Sequence, residues 1–261
     1  MSAFKEPNYF SVSLNTDLLM SKPARTRRDY LALFRGVTDE VAVGEATPQY
    51  LWDPQAPRLI RDAVPHAKII MLLRDPVERA YSHYLLLISL GTETDSFASA
   101  IQRALQAPPD YSGRLLETGL YAEQVRRYLD LFDAERVKIL IFEEFVRDTH
   151  GHVRDVLRFL GVSADPPDVK EVHNPFTVPR GKVATWLLRN SLLRYVGKNL
   201  LPQATGLKLK RLLDKPAPKP AMSGEERKFL EDYYREDARR LRDLLGRPLP
   251  WSVFQADEGR S

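Results

Sequence analysis

The 261-residue sequence predicts an α/β fold, a doubly wound parallel sheet flanked by helices, and three observations carry that expectation. Three short apolar runs, 41–43, 68–73 and 137–142, do not alternate polar with apolar residues. Strands buried on both faces read this way, because helices cover each side of a parallel sheet. Stretches 76–90, 96–106, 118–132 and 149–160 carry apolar residues at three- and four-residue spacing, the period of a helix with one buried stripe. These helical stretches lie among the apolar runs, an order that winds a parallel sheet.

Composition narrows the functional classes. A hydrophobic fraction of 43% suits a packed core. The chain has no cysteine, which excludes disulfides and thiolate metal sites and fits a reducing, cytoplasmic location. No apolar run reaches the roughly 18 to 20 residues of a membrane helix, and residues 1–10 lack a signal pattern. The net charge of +4 suits anionic ligands: nucleotides, nucleic acid or a membrane surface. Basic residues are mostly interleaved with acids, which argues against nucleic acid as a partner.

Beyond Leu160 the character changes. Residues 161–179 are rich in proline and polar residues, without a clear element. Helices are expected at 183–195 and 224–245, joined by a connection that ends in the rigid Lys215-Pro216-Ala217-Pro218-Lys219-Pro220. The expectation is one domain over 1–261 with a C-terminal helical part from about 183. The basic amphipathic segment 186–211 reads as a helix with one buried face, or as a surface for an anionic membrane or sulfated acceptor. His150 and His152 flank Gly151 without further ligands, so no metal site is expected.

The most informative local feature is Leu72-Leu73-Arg74-Asp75-Pro76-Val77-Glu78-Arg79-Ala80-Tyr81-Ser82, where a buried strand runs directly into a helix. Asp75 suits the N-cap, Pro76 the first helical position, and Glu78 completes a capping box. Arg74 therefore stands at the carboxyl end of a parallel strand, the edge where α/β sheets bind ligands. An arginine fork and the Ser82 hydroxyl can bond one phosphate together. Alternatively, Arg74 pairs with Asp75 or Glu78 and Ser82 packs on the helix surface.

The segment 74–82 resembles the 3′-phosphate-binding segment of sulfotransferases that use 3′-phosphoadenosine 5′-phosphosulfate (PAPS), and the nearest branch looks like bacterial enzymes related to the heparan sulfate sulfotransferases. Other segments agree in the family's order. Lys5-Glu6-Pro7-Asn8-Tyr9-Phe10 is similar to the segment holding the family's catalytic glutamate. Gly44-Glu45-Ala46-Thr47-Pro48-Gln49-Tyr50-Leu51, Gly119-Leu120-Tyr121 and the run through Trp251 fit as well, and Arg180-Gly181-Lys182 falls where the family has a late basic loop. The resemblance implies a P-loop NTPase-like sulfotransferase fold, PAPS as co-substrate, no metal, and a glycan, lipid or small-metabolite acceptor. It implies Glu6 as general base and Arg74, Ser82, Arg180, Gly181 and Lys182 as donor-binding residues.

Departures from the family pattern accompany the match. The family opens with a strand and a Pro-Lys-x-Gly-Thr-Thr-like loop for the 5′-phosphosulfate, and here the chain starts after it, so an N-terminally truncated fold is expected. Losing such a strand would remove on the order of 8–15 kcal/mol of gross burial, as much as a domain's net stability. A non-catalytic relic that binds a nucleotide or a partner is the alternative reading. Ala46 and Asn8 stand where some polysaccharide-modifying members have lysine and histidine, which separates the acceptor preference from the family assignment. Without the resemblance, Glu6 reads as a surface carboxylate and Phe142 as a core residue or a base-stacking ring. Pro7 predicts an extended Glu6, and Gly181 lets the backbone approach a ligand closely.

Overall fold

Two parallel strands form the sheet that carries the predicted ligand edge, β1 (Ile69–Leu73) and β2 (Val137–Ile141), in the register Ile69↔Val137 to Leu73↔Ile141. The computed structural model describes residues 2–3, 5–12, 24–106, 114–163, 177–181, 184 and 214–254. These form two compact units, each assembled from separated segments.

The first unit comprises residues 1–75, 120–170 and 235–261. It holds α1 (Arg27–Ala32), α2 (Gln49–Trp52), α3 (Ala56–Ala63), β1, β2 and the second half of the C-terminal helix. Its buried residues include Met71, Leu73, Leu140, Ile141, Val125, Tyr128, Leu241 and Trp251. Helix α7 (Tyr121–Leu129) packs on α2, and the Tyr128 hydroxyl donates to the Tyr50 carbonyl at 2.7 Å. After β2 the chain enters α8 (Phe142–Arg147) and α9 (Thr149–Leu160). The Asp148 carboxylate caps α9 by accepting from the Gly151 N–H at 2.8 Å, and Gly161 ends it at φ 79°, a left-handed position that favours glycine.

The second unit comprises residues 76–119 and 171–234. Its centre is α4 (Pro76–Ser89), packed against α5 (Phe97–Gln106) and α6 (Arg114–Glu117). Tyr81 and Tyr84 meet the buried Phe97 ring at centroid distances of 5.0 and 4.9 Å, so the apolar stripe of α4 is an aromatic cluster. A short antiparallel pair, β3 (Thr177–Pro179) and β4 (Asp214–Pro216), lies here, and β3 packs on α4. The C-terminal helix α10 (Gly224–Leu245) starts in this unit with a reciprocal capping box. The Ser223 hydroxyl accepts from the Glu226 N–H at 3.2 Å, and the Glu226 carboxylate accepts from the Ser223 N–H at 2.8 Å.

The α/β class is as expected, and helices α4, α5, α9 and α10 lie where the sequence period predicts them. Run 41–43 is a correction. It is irregular and its valines are exposed, Val41 at 78%. A strand exists through its ladder partner, and among the described residues no strand lies beside this run. β3 and β4 went unseen for the opposite reason. Their proline-rich composition argues against strands, yet a three-residue pair accommodates Pro179 and Pro216 at its ends. The helix expected at 183–195 lies outside the described residues apart from Ala184.

Gly119 sits against Tyr234, which is fully buried and donates its hydroxyl to the Leu116 carbonyl at 2.9 Å. A Cβ at Gly119 would lie 2.8 Å from the Tyr234 ring. Gly119→Ala should therefore destabilise the protein by about 1–3 kcal/mol, an overpacking cost read as a lowered denaturant midpoint. An unchanged midpoint would mean the ring shifts freely.

Candidate active site

The register of the parallel pair determines what stands at its carboxyl edge. Leu73 faces Ile141, so Arg74 and Phe142 are the next residues on the two strands. The Arg74 guanidinium lies 5.2 Å from the centroid of the Phe142 ring. Both residues are half-buried, and a cation over an aromatic face is held there at little cost in hydration. Phe142 opens α8 rather than closing the strand, and it is half-buried rather than part of the core.

A part-buried polar tie stabilises this edge. The Glu143 carboxylate accepts from the Asp75 N–H at 3.0 Å through Oε1 and from the Trp251 indole at 3.1 Å through Oε2. The Asp75 carboxylate in turn accepts from the Ser252 N–H at 2.8 Å. Arg247 donates to both oxygens of Glu144 at 2.9 Å. Asp75 gives its N–H to Glu143, and Glu78 pairs with Arg227 at 2.7 Å.

The segment carrying Glu6 is held by a second polar assembly in the same unit. Glu6 is half-buried and its backbone is left-handed at φ 56°, as is that of Asn8 at φ 52°. This corrects the extended conformation expected before proline. Pro7 is fully buried between them, and the Asn8 side-chain amide donates to the Glu6 carbonyl at 2.7 Å. A left-handed non-glycine residue costs on the order of 1–2 kcal/mol, so tertiary packing overrides the local preference.

Two carboxylates surround this segment. Asp53, fully buried, accepts from the Ser11 hydroxyl and the Val12 N–H, both at 2.8 Å, and from the Gln55 N–H at 2.9 Å. Glu45 accepts from the hydroxyls of Tyr50 (3.0 Å), Tyr30 (3.2 Å) and Thr47 (2.8 Å). Burial raises the Glu45 pKa above the usual carboxylate range, against the opposing pull of the three hydroxyl donors. The phenols of Tyr30 and Tyr50 are pushed up by burial and then by the Glu45 charge, so they remain donors. Neither Glu45 nor Glu143 was singled out as functional from the sequence. The spacing of Thr47 and Tyr50 after Glu45 is the signal that was present, but its meaning depends on Tyr30.

The second unit contains Ser82, half-buried on α4, and Arg180 and Gly181, both exposed directly after β3. Because β3 packs on α4, the basic loop and the helix bearing Ser82 belong to one substructure. Gly181 has φ 87°, its N–H donates to the Pro179 carbonyl at 2.9 Å, and a Cβ there would meet nothing within 4 Å. Its glycine thus serves the backbone conformation. Lys182 lies outside the described residues.

Residues 17–166 match the model of the Sulfotransferase family, more than half of the chain, and the protein belongs to that family. The matched span includes Arg74 to Ser82; Glu6 and Arg180 lie outside it. The crystal structure of a sulfotransferase from Alicyclobacillus acidocaldarius superposes with a TM-score of 0.67 at 29% identity, covering 95% of this chain and 85% of that one. Heparan sulfate glucosamine 3-O-sulfotransferase 6 from Homo sapiens is 27% identical over 85% of this chain. The bifunctional heparan sulfate N-deacetylase/N-sulfotransferase 4 from Mus musculus is 29% identical over 79% of it. This chain spans 60% of the first relative and 23% of the second. No described helix is long and apolar enough to cross a membrane.

His83, next to Ser82 on α4, is lowered to a pKa of about 4 by burial and then by the charge of Arg79. Between about pH 4 and 6.5 the unfolded chain holds a proton that the folded one does not, so stability rises with pH there. The contribution, on the order of 3 kcal/mol at most, is complete above pH 6.5 and lost on acidification towards 4. His83→Gln should flatten this part of the stability profile in thermal unfolding; an identical slope would exclude His83 as its source.

Proposed function

We propose that this chain transfers a sulfuryl group from PAPS to a hydroxyl or amine of an acceptor, and that carbohydrate is the acceptor class. The observation that carries the reading is the Arg74 guanidinium held at the carboxyl edge of β1, inside the span matching the family, in a segment that resembles the 3′-phosphate-binding pattern. The acceptor class rests on the relatives, which are named as acting on heparan sulfate. Lipid or small-metabolite acceptors are the other outcomes of the test below.

The residues suit the donor's charge. A half-buried arginine on an aromatic face is always ionised and can present two N–H groups to one phosphate. Ser82 adds a hydroxyl donor, Arg180 and Lys182 add charge, and Gly181 keeps its loop free of a side chain. PAPS, when bound, supplies the activated sulfur and a phosphate leaving group. The acceptor oxygen or nitrogen forms its bond to sulfur as the bond from sulfur to the 5′-phosphate oxygen breaks. The electron pair leaves with 3′-phosphoadenosine 5′-phosphate, and the acceptor's proton passes to the Glu6 carboxylate. A carboxylate is a weak base towards an alcohol, so its proton transfer comes late, when the acceptor has already acidified. The remaining work is positioning and charge stabilisation, as in phosphoryl transfer.

Titration calorimetry with 3′-phosphoadenosine 5′-phosphate tests the donor site. Arg74→Ala should weaken binding by about 2–3 kcal/mol, the loss of charged hydrogen bonds. An unchanged affinity removes Arg74 from the site, and binding without transfer by the wild type selects the non-catalytic reading. With radiolabelled PAPS and heparan sulfate, Glu6→Gln should lower turnover by about 100-fold or more and leave donor affinity intact. Equal turnover rejects Glu6 as the base, and transfer to lipid or small alcohols alone overturns the carbohydrate assignment.

A further inference from the structure

We propose that Glu45 is a positioning residue, which through the hydroxyls of Tyr50, Thr47 and Tyr30 holds the left-handed Glu6–Asn8 turn in the conformation that presents the Glu6 carboxylate. The inference rests on Glu6 being the base.

The hydrogen-bond directions make the case. An ionised carboxylate is acceptor-only, so each hydroxyl around Glu45 must point its proton at it. The hydroxyl lone pairs then face the other way, and backbone donors of the Glu6 segment stand there. The Tyr50 hydroxyl donates to Glu45 Oε1 at 3.0 Å and accepts from the Phe10 N–H at 3.3 Å. The Thr47 hydroxyl donates to Oε2 at 2.8 Å and accepts from the Asn8 N–H in a long contact of 3.5 Å. Tyr30 donates to Oε1 at 3.2 Å, and its ring stacks on Tyr9 at 4.4 Å with an interplanar angle of 13°. One carboxylate thus orients three relays that meet three consecutive residues, Asn8, Tyr9 and Phe10. Thr47, Tyr50, Asn8 and Phe10 are buried, so water cannot readily replace a lost partner.

The turn needs such a hold because φ is positive at two non-glycine residues on either side of a buried proline. Asp53 grips the chain beyond the turn, at Ser11 and Val12, and provides an internal reference. A glutamine at position 45 would present one donor to these hydroxyls and reverse at least one relay.

Amide hydrogen exchange on the full chain tests the relay directly. Tyr50→Phe, which keeps the ring packing, should speed exchange of the Phe10 amide at least tenfold, and Glu45→Gln should do so at Asn8 and Phe10, while Val12 keeps its wild-type rate. Phe10 protection unchanged in both variants overturns the proposal, as does equal acceleration at Val12, which marks general loosening. In turnover with PAPS and heparan sulfate, Glu45→Gln should lower kcat at least tenfold with affinity for 3′-phosphoadenosine 5′-phosphate within twofold. The Glu6→Gln/Glu45→Gln double variant should be no slower than Glu6→Gln alone, because both changes act through one group. Thr47→Ser should recover what Thr47→Val loses. Multiplying losses in the double variant refute action through Glu6. Should Glu45→Gln not fold, Tyr50→Phe in the same cycle decides. Full turnover in Glu6→Gln, or none in the wild type, puts the failure on the base or transfer reading, and the exchange rates still decide the relay.

Discussion

The Glu143 carboxylate is the constraint on which the ligand edge depends. It accepts the first N–H beyond the β1 arginine and the indole N–H of a fully buried tryptophan, one with each oxygen. Glu143 itself follows Phe142, whose ring carries the Arg74 guanidinium. A single half-buried carboxylate therefore ties the ends of both strands and the C-terminal segment to one another. Hydrogen bonds to an ionised acceptor are about twice as strong as neutral ones, and burial makes the loss of any one of them expensive. The arginine consequently stands in a frame built from the chain's own hydrogen bonds.

The same device recurs where the chain presents Glu6. Asp53 and Glu45 collect backbone N–H groups of residues 8–12, directly or through hydroxyls. Carboxylates withdrawn from water are costly unless donors surround them, and here the buried Asp53 and the half-buried Glu45 each accept from three described donors. Satisfying them requires one arrangement of the loop, which converts a desolvation penalty into conformational specificity. The base role proposed for Glu6 benefits from this, because misplacement of the reacting oxygen by even about 1 Å costs rate through lost orientation.

Much of the fold could be read locally. The helices α4, α9 and α10 have their start signals in Pro76, Asp148 and the Ser223–Glu226 pair, and period 3.6 supplies the rest. Chain-neighbour chemistry is enough there. Run 41–43 and the pair β3–β4 show the limit. Valine-rich composition made the former look like a strand and proline made the latter look like a loop, yet strand status belongs to the partner segment as much as to the residues.

By itself, the sequence determined the α/β class, the strand-to-helix turn at Arg74 and the family pattern, because each rests on residues within a few positions of one another. Only the tertiary structure decided that Glu143 takes the Asp75 N–H, that Phe142 supports an arginine, and that Glu45 reaches Tyr30 and, through Tyr50, Phe10. The physical reason is that a hydrogen-bond donor in a folded chain goes to the acceptor nearest in space, and burial, which sets the strength of that bond, is a property of the assembled core.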